Sequence, residues 1–287
     1  MKMNNRKIRS CHCSDGIRFV AAAVLLALSC LPSIAQERLE LLPGLNCSVS
    51  TVSFGMGSAA SLDTYLSPSE YTGAYLSGEY DRLTLVKKDA FFPYRHLYMN
   101  FGFGNLKNHA GTNVTAHVMA HVYGSWSHLL VSDGIWESLL GVSALADVGG
   151  LMNRANSNNP ANALVQLSSG ATFYNIVHFT VKSRPMAAKG TVHLPLLGLG
   201  FAPEHDQFYW NMVSQGSTRY NIRAVTPFSA QTMSVQLALD VPVSNRVMQF
   251  GYNMYLMRNR LGGNFSGLIH SYVTVGFVHR FEKLKWK

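Results

Sequence analysis

Charge is scarce in this chain: Asp, Glu, Lys and Arg make up only 14% of its 287 residues, well below the roughly 25% of an ordinary soluble domain. With 47% of residues hydrophobic, intrinsic disorder is excluded, because disorder needs few apolar residues and much charge. A coiled coil and a charged solenoid fall on the same grounds. Long greasy runs are missing too. After residue 36 no stretch holds 18 consecutive apolar residues, and 192–202 is interrupted by Pro195, Gly198 and Gly200, so no helix long enough to cross a bilayer is written there. Convincing amphipathic helices are absent. An apolar, charge-poor chain must put its hydrophobic surface somewhere else.

The N-terminus sets the compartment. Residues 1–35 read as a secretory signal: Lys2, Arg6, Lys7, Arg9 and Arg18 are basic, 19–28 is a short apolar stretch, and Ser33-Ile34-Ala35 supplies the small-x-small site for cleavage before Gln36. A lipoprotein signal ending at Cys30 is the weaker reading, because Ala27 stands where a leucine is usual. Cleavage removes five basic residues and one acid, so the formal charge falls from +9 to +5, of which 282–287 carries +2. The remainder is too diffuse for a nucleic-acid footprint. Of four cysteines only Cys47 survives cleavage, so no internal disulfide can form.

What recurs through the rest is alternation at period two, the mark of a strand with two different faces. In 97–103, Leu97, Met99, Phe101 and Phe103 oppose Tyr98, Asn100 and Gly102. In 114–125, Val114, Ala116, Val118, Ala120 and Val122 oppose Thr115, His117, Met119, His121 and Tyr123. The pattern returns in 163–181 and again in 271–281. Segments of about ten residues, apolar on one face and polar or small on the other, are the signature of a transmembrane β-barrel. A soluble sandwich strand also alternates, and an exported β-sandwich binding module is the alternative fold. Against it stand the length of 163–181, the polar, glycine-rich second face, and aromatics placed near strand ends as girdles (Phe91, Phe92, Tyr94, Trp126, Trp136, Tyr209, Trp210, Tyr220).

The expected fold is therefore an all-β transmembrane antiparallel barrel of about twelve strands, with ten as the fallback. The segments are 46–57, 71–84, 94–106, 112–129, 135–148, 163–181, 189–201, 206–213, 218–226, 230–241, 246–258 and 268–281. A short periplasmic lead, 36–45, precedes the barrel at 46–281, and a basic tail, 282–287, follows it. Both termini on the periplasmic side require an even strand number. The Ser-, Asn- and Gly-rich connections 58–70, 149–162 and 259–267 then face outward, while Ser132-Asp133-Gly134 and Pro242–Asn245 have the chemistry of tight inner turns.

One segment carries a family resemblance. Asp63-Thr64-Tyr65-Leu66-Ser67-Pro68, followed by Tyr71 and Gly73, and later Leu194-Pro195-Leu196-Leu197-Gly198 with Phe201-Ala202-Pro203 and Tyr209-Trp210, together resemble a Bacteroidota outer-membrane family recorded as domain of unknown function 3316. Asp63, Thr64, Tyr65 and Pro68 form its motif loop, and Glu204-His205-Asp206 departs from the expected Tyr-Gly. The resemblance implies a cell-envelope barrel and no activity. Val273, Val275, Phe277 and Phe281 resemble the terminal strand by which the barrel-assembly machinery recognises its clients, with His279 interrupting the apolar face.

Little in the sequence points to chemistry. His117, Met119, His121 and Tyr123 share one strand face and are expected to look into the lumen. Residues four apart on a strand stand nearly 14 Å apart at roughly 3.4 Å per residue, so His117 and His121 do not by themselves hold a metal with bonds of about 2 Å. Neither a metal nor a cofactor is expected, and no catalytic residue is assigned. His270-Ser271 near the outer end of the last strand is the nearest thing to a hydrolase pair, yet adjacent strand residues point to opposite faces and no Gly-x-Ser-x-Gly elbow exists. Asp63 reads as a turn-forming side chain. The expected role is passive solute passage or envelope anchoring, with an outer-membrane lipid hydrolase or acyltransferase as the alternative. Outer-membrane lipid and the assembly machinery are the expected partners, nucleic acid is not, and any small-molecule ligand is left open.

Overall fold

The computed structural model describes residues 47–86, 90–156, 160–204, 207, 208, 212, 214 and 221–282. The signal, the lead at 36–45 and the tail beyond residue 282 lie outside the described residues, as does the Cys30 alternative. The strands are β1 (Cys47–Asp63), β2 (Glu70–Leu85), β3 (Tyr94–Asn108), β4 (Val114–Ser132), β5 (Trp136–Asn153), β6 (Ala161–Val181), β7 (Arg184–Phe201), β8 (Ile222–Val225), β9 (Ala230–Val243), β10 (Arg246–Leu261) and β11 (Asn264–Glu282). Every pairing is antiparallel. β1 pairs with both β2 and β11, and β7 pairs with both β6 and β9, so the sheet closes on itself. A closed ring leaves no edge strand. It also replaces the sandwich alternative, which needs two separate sheets.

Ten long strands make the wall, the fallback number and not the twelve counted from periodicity. Of the segment 206–213, Gln207 and Phe208 carry no strand, and Met212 is helical, its N–H donating to the Phe208 carbonyl at 3.1 Å. Of the described part of 218–226, Ile222–Val225 form β8. β8 and β9 lie against the same edge of β7 and run the same way, so they form one barrel strand broken by a turn at 226–229. Periodicity cannot see that break, since each half alternates on its own.

The strands are also longer than the sequence pattern gives. β6 has 21 residues, about twice the 9–11 a tilted strand needs to cross a bilayer. The polar connections 58–70, 149–162 and 259–267 shrink accordingly, because β1 stays paired to β11 as far as Asp63, β5 to β4 as far as Asn153 and β10 to β11 as far as Leu261. Gly262 and Gly263 close the β10–β11 hairpin alone at φ +61 and +79, the two positive values that match the twist of flanking strands. The connections at the end opposite Cys47 and Glu282 include 64–69, 109–113 and 154–160, and those at the near end include Lys182-Ser183 and Ser244-Asn245.

Alternation is read by the wall as outside against inside. Along β3, Phe101 and Phe103 are 56% and 50% exposed, while Tyr98 and Asn100 are 4% and 3% exposed. Phe54, Val142, Leu167, Leu199 and Val275 continue the outer apolar belt on other strands. Trp126 and Trp136 lie exposed on that surface and Phe91 projects at 80%. Tyr94 departs from the girdle expectation: it turns inward and packs with Leu83, Leu85, Leu139, Tyr174 and Ile176 at the near end of the lumen. Tyr209, Trp210 and Tyr220 lie outside the described residues.

Candidate functional site

The inward face brings together residues far apart in the chain, and they fill the lumen. At the end opposite the termini sits Asp63. Its Oδ1 accepts the backbone N–H groups of Tyr65 and Leu66 at 3.1 and 3.4 Å, which folds 64–66 into a tight turn. Its Oδ2 accepts from Asn162 Nδ2 at 2.7 Å and Ser266 Oγ at 3.1 Å, tying the loop to β6 and β11. Thr64 Oγ1 accepts the Phe265 N–H at 2.9 Å. Tyr65 and Leu66 therefore turn into the mouth, where they join Met119, Leu151, Leu164, Tyr255, Met257 and Leu268. The Tyr65 hydroxyl is pushed up to about 12 by burial and by the nearby Asp63 carboxylate, so it stays protonated and donates to the Gln207 carbonyl at 2.6 Å. Pro68 is exposed.

Below the mouth lie the four residues of one β4 face. His117, Met119, His121 and Tyr123 are 1%, 0%, 2% and 1% exposed. The two histidines have different hydrogen-bond partners, although both rings lie against His270. His117 Nε2 lies 2.8 Å from His270 Nε2 on β11, and His121 Nδ1 lies 2.8 Å from Asp147 Oδ1 on β5. Tyr255 donates to Asp147 Oδ2 at 3.1 Å, and the Tyr75 ring stacks on His270 with centroids 4.2 Å apart. Among the described residues no group of three or more His, Cys, Asp or Glu side chains is arranged to hold a metal ion.

At mid-height a single carboxylate organises three strands. Glu79 Oε1 accepts from Tyr98 at 2.7 Å, Tyr272 at 2.8 Å, Asn253 at 2.7 Å and Asn100 at 3.3 Å. Nearer the termini, His96 Nε2 meets Asp81 Oδ2 at 2.8 Å, Lys189 Nζ meets Asp240 Oδ2 at 2.8 Å, and Glu137 meets His178 at 3.1 Å. Buried charges of this kind are stable only when paired or hydrogen-bonded, and these are. Among the described residues, cavities of about 30 Å³ each lie beneath Asp63 and beside Glu79, room for little more than a water or two in each.

The remaining sequence candidates sit elsewhere. Val273, Val275 and Phe277 face outward in the belt at 56%, 46% and 42% exposure, and the side chain of Phe281 lies outside the described residues. His270 and Ser271 diverge: the former is fully buried in the lumen, while Ser271 Oγ bonds the Tyr252 hydroxyl at 2.8 Å on the other face. Glu79, Asp147 and His270 were not legible as a constellation, because their partners lie 19 to 193 residues away in sequence.

The chain belongs to the family described as Protein of unknown function (DUF3316), which matches residues 24–287. No curated protein matches it. Among solved structures, the COG4313 outer membrane channel from Pseudomonas putida F1 is similar at 10% identity and a TM-score of 0.35, covering 87% of this chain and 100% of that one. The beta domain of the Bordetella autotransporter BrkA is similar at 10% identity and a TM-score of 0.33, covering 82% of this chain and 100% of that one.

Proposed function

We propose that this member of the DUF3316 family is an outer-membrane barrel whose lumen is shut by its own side chains, an anchored envelope protein and not an open pore. An apolar belt around a closed antiparallel wall favours a bilayer setting, because lipid is the one solvent that rewards that surface. The signal-like N-terminus supports export. One observation carries the choice against free passage. Tyr75, His117 and His270 pack ring against ring across the lumen, Met119 and Tyr123 are buried as deeply, and the cavities beneath Asp63 and beside Glu79 hold about 30 Å³ each. A hydrated solute needs a continuous aqueous path, and the neighbouring Tyr98, Tyr272, His121 and Tyr255, held by hydrogen bonds to the Glu79 and Asp147 carboxylates worth about 1.5–3 kcal/mol each, resist being swept aside. Vesicles carrying the purified protein are expected not to swell when transferred to isotonic glycine or arabinose. Swelling at porin-like rates would overturn the reading.

A further inference from the structure

One stretch of the wall is not sewn by hydrogen bonds. β7 pairs with β6 along its length, with Leu196 as an extra residue opposite Ser169–Gly170. On its other edge β9 faces Ala187–His193 and β8 faces Gly198–Phe201. Between them, Leu194 to Leu197 have no ladder partner on that side among the described residues. Opposite this gap the chain makes the 226–229 turn, from which Phe228 projects at 96% exposure. Pro195, which has no N–H to donate, sits in this stretch.

This gap lies at the depth of the apolar belt. Leu194, Leu196, Leu197 and Leu199 all project outward at 43–63% exposure. Backbone left unpaired at that depth is tolerated only where protein covers it or where it lines a cavity. Both features are present. Ala202, Val225, Ala230 and Leu261, which flank the 226–229 turn and the adjoining end of β7, form an apolar cluster on the inner side, and Val225 and Leu261 close over Gly200, which has no side chain of its own there. Behind this cluster is the cavity beneath Asp63. Phe201, Met257 and Leu261 line its near side, and Gln166 and Asn259 its polar side. Gln166 is 2% exposed, and the Gln166 Oε1 and Asn259 Oδ1 acceptors are buried without a hydrogen-bond partner. Unpaired buried acceptors cost free energy until a donor arrives.

We propose that this seam is a lateral portal, and that the cavity behind it receives the head of a single-chain amphiphile drawn from the surrounding leaflet. The chain takes the place of the apolar cluster of Val225, Ala230 and Leu261, and the head is a single hydrogen-bond donor, a hydroxyl or an amine, no larger than the water or two that the cavity of about 30 Å³ admits. A carboxylate or phosphate head is disfavoured, because it would bring acceptors to acceptors beside Asp63 and Asp147. The proposal rests on the bilayer setting, and its test separates the two.

The probe is a diazirine-tailed long-chain primary alcohol, whose hydroxyl is the size of a water, compared with a diazirine fatty acid of equal length, in vesicles carrying the full-length protein. After irradiation, adducts are mapped by mass spectrometry. Labels on outward Leu197 and Phe228 report that the barrel sits in lipid, and their absence would sink the bilayer reading itself. Labels on inward Met257 or Leu261, at least fivefold stronger with the alcohol than with the acid, are expected. Outward labels without inward ones overturn the portal. In a Cys47→Ser background, Val225→Cys with Leu261→Cys staples the cluster. Oxidation is expected to cut inward labelling about tenfold and reduction to restore it, comparing one folded protein with itself. Inward labels that persist under the staple would mean entry by the mouth and overturn the route. If the pair does not oxidise, Gln166→Leu carries the test, with a fivefold loss of inward alcohol labelling expected and an unchanged level contradicting the proposal.

Discussion

At the scale of single residues, the lumen is held by a few acceptors that each satisfy several donors. Glu79 is the extreme case, with four donors converging on one oxygen. Two effects oppose each other on its removal. A buried carboxylate without a cation carries a desolvation cost that disappears with it, whereas each stranded donor costs about 1–3 kcal/mol. With four donors the second effect wins. Glu79→Leu is expected to lower unfolding stability in detergent by about 2–4 kcal/mol, and Glu79→Gln, which keeps an acceptor, by less than about 1 kcal/mol; equal losses would contradict this account of the network. Asp63 acts locally instead. Removing its two backbone acceptances and its ties to Asn162 and Ser266 frees the turn more than the barrel, so Asp63→Ala is expected to admit chymotrypsin cleavage after Tyr65 in the intact protein while the rest of the chain resists.

Elements are where the sequence is most and least legible. Inside-outside alternation follows from pleat geometry alone, which is why the faces of β3, β4 and β6 read correctly residue by residue. Strand ends do not, because Ser58 to Asp63 and Asn259 to Leu261 look like loop by composition yet stay in the ladder. Nor is the β8–β9 break visible, since it depends on what the opposite edge of β7 offers. The convergence of His117 with His270 across 153 positions has no local signal at all. Glycines show the same split between pattern and cause. Gly102 faces the lumen, where a Cβ would stand 2.0 Å from the Tyr75 hydroxyl, so the ring occupies the space the glycine leaves. Gly102→Ala is expected to cost about 1–3 kcal/mol through overpacking, measured by denaturant unfolding. On the opposite face of the same strand, Phe101→Arg is expected to cost about 2–4 kcal/mol in a bilayer, as charges do on a lipid face, and much less in a short-chain detergent. A Phe101→Arg barrel as stable in lipid as the parent would contradict the belt assignment.

For the molecule as a whole, the scarcity of charge and of greasy runs has one physical explanation: apolar surface is spread over alternate residues and turned outward, while polar side chains are spent on filling the interior. A folded barrel of this kind should migrate faster on gels before boiling than after, and should stay with the membrane through a salt wash. Those properties follow from any β-barrel, so they do not test closure. Current through a planar bilayer does. The processed protein, inserted in measured amounts, is expected to give no steady ohmic conductance in 1 M KCl (a solution condition of about tenfold Debye-level screening relative to dilute buffer), because Tyr75, Met119, Tyr123, His117 and His270 block the path. A stable, voltage-independent step with each insertion would show an open lumen and contradict the account.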